Sequence, residues 1–201
     1  MPIPIVPIVT AVAKQAAVSA TMNMAAELAT KATQTAAEAI AQKANGLMQG
    51  KLMPESVLKS VTELGTNLQK SYCQQLKELS PCSETLRFPA DNNTIWKRIS
   101  PENVAEKRLN FNEIKSDLKT QWESANNQKW PKYTKDVYSD NGSLIRRAGD
   151  AYDAHHIRPL CMGGENTAGN ITPMHAQNHY DKQGIHAPGS PYDQMTKLAT
   201  T

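Results

Sequence analysis

From residue 54 onward the apolar positions recur at helical spacing in two long runs. Pro54-Glu55 opens the first. Val57, Leu58, Val61, Leu64, Leu68, Tyr72, Leu76 and Leu79 then form one continuous face, and Pro81 ends it. Steps of three and four return to the same side of an α-helix. Ser100-Pro101-Glu102 supplies an N-cap, a first-turn proline and a first-turn acid, the features that start a helix. The second run, 101–126, places Val104, Phe111, Ile114, Leu118 and Trp122 on one side and closes at Asn126-Asn127. Upstream, residues 10–45 are alanine-rich and free of proline and glycine. This predicts another long helix, since alanine is the best helix former. Its stripe of Val12, Val18, Met22, Met24, Leu28 and Ile40 is thin. Such a helix buries little alone and is expected to pack on a partner helix, with 55–79 as the antiparallel candidate, or on another protein. Residues 2–9 interleave proline with β-branched residues, which favours extended backbone. Such a segment serves either as a tail or as a docking strand.

After Trp130-Pro131 the pattern shortens to β-prone pieces, Lys132-Tyr133 and Val137-Tyr138, then an Asp140-Asn141-Gly142 turn. Tyr152–Pro159 reads as a strand, Met162-Gly163-Gly164-Glu165 as a turn and Gly169–Thr172 as a returning strand. A helix is expected after the Thr172-Pro173 corner, carrying His175 and His179 on one face, with Gly184 ending it. The fold class is α+β. The expected boundary divides a helical region, 1–95, suited to docking or delivery, from a mixed domain, 96–201. The first 71 residues contain no aromatic side chain, so large core-forming residues concentrate beyond that boundary.

Charge changes the picture little. Residues 1–100 carry ten Lys/Arg against seven Asp/Glu, and residues 101–201 carry twelve of each. A basic face would therefore have to arise from local placement. Between 129 and 158 six basic residues face four acids. Arg146, Arg147 and Arg158 are the candidates for phosphate contacts, because a guanidinium bonds phosphate oxygens bidentately. Cys73, Cys82 and Cys161 are odd in number and widely spaced, the mark of reduced thiols. The N-terminal Pro-Ile-Pro-Ile-Val-Pro run lacks a basic region and is too short to span a bilayer. The expectation is a chain made in the cytoplasm, without a stable membrane span, and exported by a dedicated machine.

All five histidines, His155, His156, His175, His179 and His186, fall within residues 155–186. Histidine both ligates metals and titrates near neutral pH, so the clustering argues for a site. His155 and His156 are adjacent, hence on opposite sides of a strand. One can face a metal while the other faces a water beside it. A structural zinc site is the plainer alternative, but such sites usually hold several cysteines, and only Cys161 is near.

His155-His156, the Gly163-Gly164 turn, Asn170 before an apolar residue, and His179 nine residues after Asn170 together resemble the His-Asn-His nuclease superfamily, whose fold is the ββα-metal finger. Asp153 matches the acid that often precedes the histidine pair. The likeness is to toxin-type members, the DNase colicins, pyocins and polymorphic bacterial toxins, and covers roughly residues 130–190. It implies His155 and His179 as ligands of one divalent ion (Mg²⁺, Mn²⁺, Zn²⁺ or Ni²⁺) and His156 as general base. It also implies that Asn170 ties the hairpin and helps orient His156. The implied third ligand is His186, with His175 as its rival. The activity implied is endonucleolytic cleavage of DNA by an antibacterial toxin, made in a bacterial cytoplasm and active in that of a target cell. Its implied partners are an immunity protein and a delivery component, such as a type VI-like apparatus, contacting the N-terminal helices. The alternatives are a phage or mobile-element nuclease acting in its own cell, and a non-catalytic zinc-stabilised DNA-binding or adaptor module.

Overall fold

An antiparallel hairpin lies between two long helices, each burying an apolar face against it. The computed structural model describes residues 55–88, 96–139 and 141–198, all within the unit Pro54–Thr201. The extended segment 2–9 and the alanine-rich helix 10–45 lie outside the described residues. The first described helix, α1, spans Glu55–Leu79, and α2 spans Pro101–Asn126. Ser100 caps α2 through its side chain, which accepts from the Asn103 amide at 3.3 Å. Asn127 ends it in the left-handed region at φ 50°, a conformation asparagine tolerates.

Two short two-stranded sheets follow. Strand β1 (Val137–Tyr138) pairs with β2 (Leu144–Arg146). Strand β3 (Asp153–His156) pairs antiparallel with β4 (Ile171–Met174), with His155 opposite Thr172 and His156 opposite Ile171. Thr172-Pro173 thus sits inside a strand, and helix α3 begins later, at Ala176, and ends at Tyr180. Helix α4 (Pro191–Leu198) packs along α1. The described elements combine helices with small antiparallel sheets, an α+β arrangement. Among the described residues no helix is long and apolar enough to cross a membrane.

Alternation along the hairpin decides which helix each strand residue meets. Met174 joins Leu68, Tyr72 and Leu76 of α1, Trp96, Met162 and Ile185 in one core cluster. Ile171 joins Leu118 and Trp122 of α2 in another, with Cys82 and Trp130. Each fully buried apolar side chain is worth roughly 1.5–3 kcal/mol, so α1 is integral to this unit. The boundary expected near residue 96 falls inside the unit Pro54–Thr201, and three anchors of the histidine-bearing core, Leu68, Tyr72 and Leu76, come from α1. Cys73, Cys82 and Cys161 are free thiols.

The connection from β3 to β4 requires glycine. Gly163 adopts φ +77° at the end of the Leu160–Met162 turn, and a side chain on Gly164 would strike the Arg158 carbonyl. The Gly164 amide donates to the Pro159 carbonyl at 3.0 Å. That close approach folds the chain back into β4.

Candidate metal centre

Strand β3 ends in His155 and His156, which face opposite helices. His155 faces α1, with Nε2 2.9 Å from the Tyr72 hydroxyl. That hydroxyl also lies 3.1 Å from the His156 carbonyl and 3.0 Å from the Ile157 carbonyl. The phenol has one proton, and the carbonyls only accept. When the hydroxyl donates to one of these carbonyls, it accepts from His155 Nε2–H. This leaves His155 Nδ1 with the lone pair.

His179, on α3, is set by a carboxylate. Its Nδ1 lies 3.4 Å from Asp153 Oδ2. Asp153 Oδ1 accepts from Arg146 Nε at 3.1 Å and from Nη2 at 2.6 Å. Burial pushes Asp153 upward, but the bonds from His179 and Arg146 outweigh it and hold the carboxyl below its ordinary value. A carboxylate only accepts, so His179 Nδ1 carries the proton and Nε2 the lone pair. His155 Nδ1 and His179 Nε2 stand 3.1 Å apart. With both lone pairs turned inward, these nitrogens would share a cation placed between them.

His186 completes the group from the loop after α3. The Ile185 amide donates to the Asn178 carbonyl at 2.7 Å, and the Asn178 side chain donates to the Leu79 carbonyl of α1 at 2.9 Å. The His186 ring lies 5.2 Å from that of His155 and 4.9 Å from that of His179, with Tyr192 edge-on at 4.2 Å. One nitrogen from each of His155, His179 and His186 falls within 4.8 Å of the others, and the three can hold a metal ion. The donor set fits: three imidazoles with outer partners on two of them, leaving positions for further ligands. Burial holds His155 well below its ordinary value and His186 down to about 4. Both are therefore neutral, as ligands must be, at neutral pH.

His156 faces α2, its ring centroid 4.5 Å from that of Phe111. Its Nε2 lies 3.0 Å from Asn166 Oδ1. Asn166 Nδ2 donates to the Lys107 carbonyl at 2.7 Å and to Asn110 Oδ1 at 2.8 Å. The Lys107 carbonyl cannot donate, so the amide orientation is fixed and His156 Nε2 is the protonated nitrogen. Nδ1 is left as the basic one. Burial lowers His156 to about 4, the Asn166 bond opposing and Arg108 assisting the shift.

Asn170 closes the hairpin connection. Its Oδ1 accepts from the Arg158 amide at 2.8 Å, and its Nδ2 donates to the carbonyls of Arg158 and Glu165 at 3.1 and 2.8 Å. Its bonds run to those residues and not to His156, whose amide partner is Asn166. His175 lies outside the triad. It caps α3, with Nδ1 accepting from the Gln177 amide at 3.3 Å, and its ring packs on Tyr133 and Tyr152. The i,i+4 spacing of His175 and His179 therefore places no shared ligand face.

A cleft of about 600 Å³ is lined by His155, His156, His179 and His186 across from Arg108, Lys115 and Lys119 of α2. Of the three arginines singled out in the sequence, Arg146 lines this cleft but is ion-paired to Asp153. Arg147 and Arg158 are not among its lining residues. Arg158 folds back, its Nε donating to the Met162 carbonyl at 2.8 Å and its guanidinium lying over Trp96. Tyr72, Asn166 and the α2 cations were not singled out. Asn166 lies in the hairpin connection between the paired histidines and Asn170, where an amide search would have reached it. Tyr72 carried only an apolar-face signal.

A hairpin followed by a short helix, presenting three clustered histidines with a fourth beside them, defines a candidate three-histidine metal centre. No protein-family model matches the chain. Over 149 residues the chain is 32% identical to Toxin YxiD of Bacillus subtilis (strain 168), a match covering 69% of this chain and 25% of that protein. The chain thus spans about a quarter of that relative's length.

Proposed function

We propose that this chain is a metal-dependent nuclease toxin of the His-Asn-His type, its ββα-metal element being β3, β4 and α3, and that it hydrolyses phosphodiester bonds of DNA. The observation carrying this reading is the joint geometry of the histidines. His155, His179 and His186 converge within 4.8 Å, and the adjacent His156 is neutral with its protonated nitrogen tied to Asn166.

Each residue then has a defined task. His155, His179 and His186 hold one divalent ion, which when bound would polarise the phosphate and stabilise charge on the leaving oxygen. Tyr72 and Asp153 keep the lone pairs of His155 and His179 turned inward. His156 Nδ1 takes the proton of the attacking water. An anionic phosphate nearby favours the protonated imidazole, which offsets part of the depression that burial imposes. Asn170 holds the connection that carries Asn166.

The toxin role rests on the similarity to Toxin YxiD. A toxin that cuts DNA endangers its maker, so a cognate immunity protein and a delivery partner for the N-terminal region belong to the same reading. Expression in a bacterial host tests it. Wild type should arrest growth and fragment chromosomal DNA, His156→Ala should do neither, and co-expression of the immunity protein should restore growth. Harmless expression of soluble wild type with intact DNA would contradict the reading. Degraded RNA beside intact DNA would move the substrate to RNA.

A further inference from the structure

Between residues 106 and 119, helix α2 sets a row of three cations apart from three acids around its axis. At about 100° per residue, Arg108, Asn112, Lys115 and Lys119 fall within one narrow arc. Glu106, Glu113 and Asp117 fall on the opposite side. The polar arc is the side that lines the cleft of the candidate metal centre, whereas none of those three acids lines it. The acids that do are Asp153, ion-paired to Arg146, and Asp150, whose carboxylate accepts from the Arg147 amide at 2.8 Å.

The row differs along its length. Lys119 is anchored, its Nζ donating to the Tyr152 carbonyl at 3.0 Å and lying over the Trp130 ring. Arg108 and Lys115 are exposed, and among the described residues neither is in an ion pair. Of the row, Arg108 is the cation whose charge acts on both His156 and His186. From residue 108 to 119 the helix rises about 16 Å. That length spans several backbone phosphates at roughly 3.4 Å of rise each along one strand.

We infer that the Arg108–Asn112–Lys115–Lys119 row of α2 is the surface that holds the phosphate backbone of a nucleic acid across the histidine centre, with Arg108 nearest the scissile phosphate. The inference rests on the nuclease reading for its substrate class but not for its test. A cation row opposite the His155, His179 and His186 cluster draws in a polyanion. The three far-side acids offset the three cations of the row in a charge count without facing the cleft. Phosphate contacts position a strand without reading its sequence, so the row specifies a backbone and leaves base preference to other contacts.

The test measures binding in EDTA, where no cleavage intervenes. Fluorescence anisotropy of the full chain would use a labelled 20-base-pair DNA duplex and a single-stranded RNA of the same sequence, over a salt series. Arg108→Ala/Lys115→Ala is compared with Lys59→Ala/Lys70→Ala, an equal charge change on exposed positions of α1. The cleft double variant should weaken binding about tenfold or more and lower the slope of log affinity against log salt by about 2, at roughly 0.9 per lost contact on duplex DNA. The α1 control should bind within about twofold of wild type. Arg108→Lys/Lys115→Arg should retain the slope, showing that charge and not side-chain shape carries the effect. Equal losses in the two alanine pairs, or no binding of either nucleic acid by wild type, would overturn the inference. Wild-type cleavage with metal is scored separately. Cleavage without row dependence sinks the row and leaves the nuclease reading standing; row-dependent binding without cleavage under any metal does the reverse.

Discussion

Tyr72 shows how much one distant side chain decides. Its hydroxyl determines which nitrogen of His155 turns inward, across 83 residues of sequence. Nothing local marks it: at position 72 the sequence shows one more member of an apolar helical face. The pair His155-His156 was legible because adjacency on a strand forces opposite faces. The placement of Arg158 was not legible, because an arginine near a histidine pair looks the same in sequence whether it reaches outward or folds back on Trp96. Tyr72→Phe keeps the ring in the core and removes the hydroxyl. Metal affinity measured by calorimetry should fall about tenfold or more, the usual effect of losing a ligand's outer partner, while the circular dichroism spectrum stays unchanged; unaltered affinity would deny Tyr72 this role. The buried imidazoles also predict a pH response of the metal-free protein. Burial holds His156 and His186 near 4 when folded, against about 6.5 unfolded. The unfolded chain therefore takes up protons that the folded chain refuses once pH drops below about 6.5. Their contribution is fully present above that value, declines as pH falls and levels off below about 4. Urea midpoints at pH 7, 5.5 and 4.5 should decrease in that order, and a flat series would contradict the burial of these rings.

Elements were more legible than contacts. The 55–79 and 101–126 helices followed from spacing and from the Ser100-Pro101 start, because an amphipathic period and a cap are local signals. The β3–β4 hairpin followed from the double glycine and the flanking short apolar pieces. The start of α3 was placed too early, since Pro173 fits inside β4, opposite Ala154, where a corner was expected. The hairpin connection itself yields a contrast between two glycines. A methyl group on Gly164 meets the Arg158 and Pro159 backbone, whereas one on Gly169 meets nothing within 4 Å. Gly164→Ala should cost about 2 kcal/mol or more, in the range of enforced backbone strain. Gly169→Ala should stay within about 0.5 kcal/mol of wild type, as an open surface site does. Chemical denaturation of the two variants decides this, and equal effects would refute the close-packed turn. The basic row of α2 was visible on a helical wheel but hidden in the totals, because acids on the far side cancel it.

For the whole molecule, the division of labour falls at a different place from where aromatic content suggested. Leu68, Tyr72 and Leu76 of α1 belong to the core that contains Ile157, Met174 and Ile185, and the Tyr72 hydroxyl contacts His155 of the candidate metal centre. A fragment of residues 96–201 should therefore fail to fold, whereas 54–201 should give a cooperative thermal transition. A cooperative 96–201 fragment would restore the earlier boundary. Composition gives α1 little weight because it contributes a single aromatic, Tyr72, yet that residue joins the core to His155. The proposed roles divide four histidines into three metal ligands and one base. Two measurements on the same preparations of wild type and His156→Ala decide this: binding of Mn²⁺, Ni²⁺ or Zn²⁺, and cleavage of supercoiled plasmid with Mg²⁺ added to the panel and EDTA as control. Both proteins should bind one equivalent of metal, with cleavage by wild type alone and none in EDTA. Wild type that binds metal yet leaves plasmid intact under all four ions, or His156→Ala that cuts as well as wild type, would contradict it.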